Sequence, residues 1–493
     1  MDKLNIAVVT SEAVPFAKTG GLADVSGVLP GLLAGRGHRV KMFMPRYRQV
    51  ATGFTDLETV ADDFDIPVGE TRHPGQLSRL VDNDTGLEIY FIGNDFFFNR
   101  QELYRELSTG RDYEDNDNRF IFFSRMVIEA LRRLGWAPDI VHANDWQAAL
   151  VPAYLKTVYK NDPVVGSAAT VFTVHNLAYQ GQFPAETFDK LGIDPAYFGP
   201  VAPFEYWGKV NLMKAAVVLS DLVTTVSPTY AGEIRTTSDY GMGLEGVLDE
   251  YSDKLIGILN GVDYDTWSPR TDRLIPHRYF KDNLSGKKKN KLELLHRSGF
   301  PIRLDHPLFG MISRLDSQKG FDLIVDIIDE MMQMDLQFVL LGTGNLKYHQ
   351  VFTEIAGKYP DKFQAYLQFD NQLAHLIEAG SDIFMMPSRY EPCGLNQMYS
   401  LRYGTVPLVR KTGGLADTVD DFDETTRQGT GFVFEEYTAE ALLATVKRAV
   451  RLFNKKRLWY KIVKQGMIED FSWEMSARKY ETAYLKLLGR QWL

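Results

Sequence analysis

Short apolar, β-branched runs recur along the chain, separated by stretches of helix length. In the first half they are Ile6 to Val9, Val40 to Met44, Ile89 to Ile92, Ile140 to His142, Val171 to His175 and Leu222 to Val226. Several end directly on polar residues, as in VHANDW (Val141 to Trp146) and FTVHN (Phe172 to Asn176). Continuous apolar runs of this kind predict buried parallel strands with chemistry at their carboxyl ends. A second series begins at Leu255 with LIGILNGVD and continues through Leu308 to Asp316, Phe338 to Gly344, Ile383 to Pro387 and Val406 to Arg410. Two doubly wound α/β domains are the economical reading, with a boundary at Tyr251 to Lys254. No fixed-period repeat points to a solenoid or propeller.

Within this frame one octet occurs twice. KTGGLADV at Lys18 to Val25 returns as KTGGLADT at Lys411 to Thr418, each copy following an apolar run. Each sets a cation beside consecutive glycines whose amides can approach an anion, and each carries a carboxylate where a helix would start. Ligands of α/β proteins gather at this point, after a strand and before a helix. One such loop from each half predicts a site in the crevice between two domains.

Composition narrows the class. A chain of 493 residues, 45% hydrophobic and 24% charged, exceeds one ordinary core and fits a globular enzyme of two domains. The net charge of −9 disfavours nucleic-acid and anionic-membrane partners, so an anionic ligand needs a local basic pocket. The single cysteine, Cys393, excludes intramolecular disulfides. No leader and no apolar run of membrane-spanning length is evident, and the expected location is the cytoplasm. Two charged tracts carry bland readings: EDNDN (Glu114 to Asn118) as a solvated loop, and GKKKNK (Gly286 to Lys291) as an exposed helix start.

The candidate chemistry lies at strand ends. SRLDSQKG (Ser313 to Gly320) carries Arg314 and Lys319, cations suited to a diphosphate leaving group whose oxygen gains charge as its bond breaks. PSRYEPCGLNQ (Pro387 to Gln397) sets Glu391 before a turn in which Gly394 and Leu395 can offer amides; a helix cap is its structural alternative. His175 and Asp145 sit at strand ends, where a structural role and a ligand contact both fit.

With VHANDW, TVHNLAYQG (Thr173 to Gly181), LNGVD (Leu259 to Asp263) and the segments above in order over nearly the whole chain, the sequence resembles bacterial-type glycogen synthases and plant starch synthases. These are retaining glucosyltransferases of the glycosyltransferase-B fold, with two Rossmann-like domains facing across a cleft. The resemblance implies an acceptor-side domain at 1–254, a nucleotide-sugar-binding domain at 255–470, and a terminal helix at 471–493 that crosses back to the first domain. It implies an ADP-glucose donor, with UDP-glucose as the alternative, a glycogen or α-1,4-glucan acceptor, and no cofactor or metal.

Roles follow residue by residue. Lys18, Gly20 and Gly21 resemble the loop facing donor phosphates and acceptor, and Asp24, Asp145 and His175 the groups around the transferred glucose. Arg314 and Lys319 match the diphosphate-holding pair, and Glu391 the acid that binds glucose hydroxyls, followed in the pocket by Cys393, Gly394 and Leu395. Thr412, Gly413 and Gly414 resemble a second phosphate-facing loop, Asn260 a sugar-site asparagine, and Phe369 the ring that stacks on the base.

Position 399, where many retaining transferases of this fold carry a second glutamate, holds Tyr399. This removes the simplest two-carboxylate mechanism and favours front-face transfer without a covalent intermediate. Asp-x-Asp triplets at Asp82/Asp84, Asp263/Asp265 and Asp421/Asp423 are too frequent to mark a metal site. A phosphorylase would need a lysine that binds pyridoxal phosphate, a dinucleotide oxidoreductase a third glycine after Gly342 and Gly344, and a silent glucan-binding protein the loss of the charged groups retained here.

Overall fold

The structure, a computed structural model, describes residues 3–54 and 56–490. Residues 1, 2 and 55 of the expected first domain and 491–493 of the expected terminal segment lie outside the described residues. The chain divides into two compact units. One holds the described residues up to Val226, Ala231–Ile258 and the described residues from Trp473 on; the other holds Ser227–Tyr230 and Leu259–Ser472.

The first unit is built on strands β1 (Asn5–Val9), β2 (Arg39–Pro45), β3 (Glu58–Val68), β4 (Thr71–Val81), β5 (Glu88–Gly93), β6 (Ile140–Asn144) and β7 (Ala169–Val174). Three short strands follow, β8 (Gln182–Pro184), β9 (Glu205–Tyr206) and β10 (Lys209–Asn211), then β11 (Leu222–Thr225) and β12 (Leu255–Gly257). Nine of them form one sheet in the order β12-β11-β7-β6-β1-β2-β5-β4-β3, parallel except where β4 meets β3 and β5. The remaining three make a small antiparallel sheet, β8-β10-β9.

The second unit carries β13 (Leu308–Ile312), β14 (Gln337–Leu341), β15 (Phe363–Tyr366), β16 (Ile383–Met386), β17 (Val406–Arg410) and β18 (Phe432–Phe434). They form a parallel sheet ordered β15-β14-β13-β16-β17-β18. Its central strands are buried almost throughout, which is why they read as unbroken apolar runs.

Three expectations are corrected. The strand at Leu255 does not open the second sheet: β12 pairs in parallel with β11 and completes the first. An apolar run specifies a strand, whereas the sheet it joins depends on tertiary pairing. EDNDN is no solvated loop, because Asn116 opens the helix Asn116–Arg133 and Asn116 and Asp117 are buried. Asp117 pairs with Lys190 at 2.7 Å and Asp115 with Arg100 at 2.6 Å. GKKKNK does begin a helix, Ser285–Arg297, but Lys287 and Lys291 face inward. Lys287 Nζ donates to Thr405 Oγ1 at 2.6 Å, and Lys291 pairs with Asp382 at 2.6 Å.

The terminal helix Trp473–Leu487 is tied into the first unit by Glu481, a buried carboxylate that accepts from Arg36 and meets His38 Nε2 at 2.9 Å. Among the described residues no helix is long and apolar enough to cross a membrane.

Candidate functional site

In the second unit the carboxyl ends of β13 and β16 open onto a cavity of about 190 Å³, lined by Arg314, Lys319, Ser388, Glu391, Gly394 and Leu395 among others. Lys319 Nζ donates to both carboxylate oxygens of Glu391, at 2.9 and 2.7 Å, and Ser388 Oγ donates to Oε2 at 2.9 Å. Glu391 is buried, so these bonds satisfy an anion taken out of water. The Arg314 side chain has no ion pair or hydrogen bond among the described residues, which leaves a permanent cation free toward the cavity. Glu391 is the only carboxylate lining this cavity among the described residues.

The second octet buttresses this loop. A Cβ added at Gly413, whose φ is +43°, would fall 1.9 Å from the Glu391 carbonyl oxygen, and one at Gly414 would fall 2.0 Å from that of Cys393. The Gly414 N–H donates to the Glu391 and Pro392 carbonyls. That amide is thus spent inside the protein, and the glycines serve the close approach of two backbones. Thr412 is the N-cap residue of the short helix Gly413–Thr418, Lys411 pairs with Glu435, and Asp417 accepts from Thr229. Cys393 is buried; burial pushes its thiol up to about 12, so it is inert filling.

The first octet is built differently. Gly20 and Gly21 have open space around their Cβ positions, and Gly20 caps the helix Gly21–Gly35 without a side-chain bond to the first amides. Lys18 Nζ meets both oxygens of Asp24, at 2.7 and 2.9 Å, near the surface. The loop is held from behind by the buried Glu12. Its carboxylate accepts from Thr19 N, Thr19 Oγ1 and Gly20 N at 2.5, 2.6 and 3.2 Å, and from the Tyr104 hydroxyl at 2.8 Å.

Beside it, Asp145 leaves β6 with φ +55°, a left-handed conformation unusual for a residue with a side chain. Burial lifts its carboxyl to about 7; the His175 and Asn176 amides pull the other way, while the Glu12 charge adds to the rise. His175 donates its backbone N–H to Asp145 Oδ1 at 2.8 Å and meets Asn144 Oδ1 through Nε2 at 2.9 Å. Burial pushes its imidazole down to about 3, so the ring is neutral.

The structure therefore brings together Arg314, Lys319, Glu391, Gly394 and Leu395 around one cavity, with Cys393, Thr412, Gly413 and Gly414 packed behind it. It groups Lys18, Gly20, Gly21 and Asp24 in one loop, and Asp145 with His175 at adjacent strand ends. Two expected residues stand apart. Phe369, 85% exposed, follows β15 and does not line the cavity. Asn260 is buried with its Oδ1 lacking a hydrogen-bond partner among the described residues. Tyr399 stacks on Trp267 at 4.1 Å and takes no part in the cavity lining.

Sequence reasoning missed Glu12, Tyr104 and Ser388. Glu12 lies in the polar TSE that follows β1, a signal of the kind used elsewhere in the chain. Tyr104 lies in an aperiodic stretch and carried no signal.

Two parallel α/β units with a basic, sugar-sized cavity at strand ends define a glycosyltransferase of the glycosyltransferase-B fold. Residues 5–250 match the starch synthase catalytic domain and residues 295–465 match glycosyl transferases group 1. The chain is 46% identical to a glycogen synthase of Koribacter versatilis over 98% of both chains. It is also 46% identical to a glycogen synthase of Pseudothermotoga lettingae, over 99% of this chain and 100% of that one. The catalytic domain of starch synthase IV from Arabidopsis thaliana, solved with ADP and acarbose, superimposes with a TM-score of 0.88 at 35% identity, covering 99% of this chain and 100% of that one. The chain belongs to the glycogen synthase and starch synthase family, and its activity is that of a glycogen synthase.

Proposed function

We propose that the chain transfers glucose from ADP-glucose to the non-reducing 4-hydroxyl of an α-1,4-glucan, with retention at the anomeric carbon and without a metal ion. The observation that carries this is the Lys319–Glu391 pair in a cavity shared with the unpartnered Arg314. The unit holding these residues binds the nucleotide sugar; the other unit, with Lys18, Gly20, Gly21, Asp24, Asp145 and His175, serves the glucose and the acceptor.

The bond from C1 to the diphosphate breaks with its electron pair on the departing oxygen, and Arg314 and Lys319 neutralise that charge, the task a divalent ion performs elsewhere. The bond from C1 to the glucan 4-oxygen forms on the same face, and the hydroxyl proton passes to the departing phosphate oxygen. Glu391, held by Lys319 and Ser388 with one oxygen carrying only a single donor, keeps acceptor capacity with which it stabilises the cationic sugar and binds its hydroxyls. That no second carboxylate lines the cavity among the described residues supports a front-face path over a covalent one. Asp145 is a poor nucleophile, because burial lifts its carboxyl to about 7 and leaves it part-protonated at neutral pH.

Around this core, Asn260 offers an unpaired amide oxygen to a sugar hydroxyl, and Phe369 offers an exposed ring to the base. Cys393, Gly394, Leu395, Thr412, Gly413 and Gly414 shape the loop. The adenine preference is supported by the plant catalytic domain captured with ADP. A cytoplasmic location fits a chain with one buried cysteine. Incubation with glycogen and labelled ADP-glucose or UDP-glucose tests the reading: label should enter glucan from ADP-glucose with α configuration. Incorporation from UDP-glucose alone would overturn the donor assignment.

A further inference from the structure

The hairpin between β9 and β10 turns through two residues, Trp207 and Gly208, with φ of +51° and +76°. Two positive φ values in a two-residue loop are the mark of a type I′ turn, whose first position favours Asn, Asp or Gly. A bulky L-residue there is strained, and burial does not compensate, because Trp207 is 86% exposed. The most hydrophobic payload a side chain can carry stands at a strained tip in water.

The hairpin that carries it is held in place. Tyr206, beside Trp207 at the end of β9, turns its hydroxyl onto the facing loop. That hydroxyl lies so close over Gly243, φ +87°, that an added Cβ would fall 2.1 Å away. The Met242 carbonyl beside it accepts from Gln180 Nε2 at 3.0 Å, and Gln180 Oε1 in turn accepts from Asn211 of the same hairpin. Gln180 lies five residues after His175, on the loop that leaves β7. The ring is thus carried on a braced arm rooted in the loop of the candidate acceptor-side groups, with its faces open to solvent.

We propose that Trp207 is a stacking platform for the glucan chain, a binding position separate from the groups that surround the transferred glucose. Pyranose rings present apolar C–H faces with hydroxyls at their rims. A pre-oriented indole covers such a face at low entropic cost, and polymer bound there is kept near the enzyme between additions. The inference rests on the reading of the chain as an enzyme that extends a glucan.

The test compares wild type with Trp207→Asn and Trp207→Phe. Asn suits the left-handed turn position, so the thermal midpoint of Trp207→Asn should not fall, which separates loss of the platform from loss of fold. Direct titration with maltoheptaose should show affinity weakened roughly tenfold in Trp207→Asn and largely kept in Trp207→Phe. Adding glucan should quench tryptophan emission in wild type, and the quench should shrink in both variants. In turnover assays the rise should fall on the KM for glycogen, with the KM for the sugar nucleotide unmoved. Unchanged maltoheptaose affinity in Trp207→Asn overturns the proposal, and so does a variant that alters only self-association in sedimentation. A wild type that binds maltoheptaose through Trp207 yet transfers no glucose would sink the transferase reading and leave the platform standing.

Discussion

Gly413 lies against the carbonyl of Glu391, so close that a Cβ at 413 would come within 1.9 Å of that oxygen. A glycine of the repeated octet is therefore part of what sets the position of the acid in the cavity. Gly413→Ala should displace the Glu391 loop, add strain of roughly 1–2 kcal/mol at a positive φ and lower kcat/KM for the donor by about a hundredfold. Gly20→Ala, in open space, should leave the thermal midpoint intact. Steady-state kinetics with thermal unfolding checks both, and wild-type turnover in Gly413→Ala would contradict the buttress.

That contrast shows how far the sequence could be read. The two octets are nearly identical letter for letter and predict equivalent cradles, yet Gly414 spends its amide on Glu391 and Pro392, while the first loop is held from behind by Glu12. Which partner takes a backbone amide is a tertiary fact that local spacing does not encode. The central strands were legible because both faces are buried. The hairpin of β3 and β4 was not, since β3 is largely solvated and its apolar alternation is confined to Phe64, Ile66 and Val68 at one end. Arg314, Lys319 and Glu391 were legible because strand ends announce themselves in α/β chains; Tyr104 reaches its site from an irregular segment.

Arg314 and Lys319 should fail differently when removed. Lys319→Ala leaves a buried carboxylate without its ammonium, a loss of about 3–5 kcal/mol for an ion pair broken on one side. Arg314→Ala removes a cation that pairs with no group among the described residues, so stability should hold. Turnover should drop by about 10²–10³ in each. Denaturant melts beside single-turnover rates separate the two effects, and an equal stability loss in both would contradict the pairing.

Asp145 predicts a pH dependence of stability. Its carboxyl is lifted to about 7 in the folded chain, from an ordinary value of 3.8. Below pH 4 both states hold the proton and no penalty exists. As pH rises from 4 to 7 the unfolded chain ionises first, and stability falls by on the order of 4 kcal/mol, flat above. Asp145→Asn should abolish this slope and be the more stable protein at pH 8. Urea melts across that range provide the check; parallel slopes in the two proteins would show that the carboxyl is not perturbed.

Two protein cations on the diphosphate should make a divalent ion dispensable. Transfer rates in excess chelator should match those in magnesium, and a strict ion requirement would assign the charge-neutralising task elsewhere.

The most direct measurement is glucan extension from labelled ADP-glucose by wild type and by Glu391→Ala, with the anomeric configuration of the new linkage read by NMR. Wild type should add α-linked glucose and the variant should lose turnover by orders of magnitude while folding normally. β-linked product, or a Glu391→Ala enzyme that extends glucan at the wild-type rate, would contradict the assignment of the Lys319–Glu391 cavity as the seat of retaining transfer.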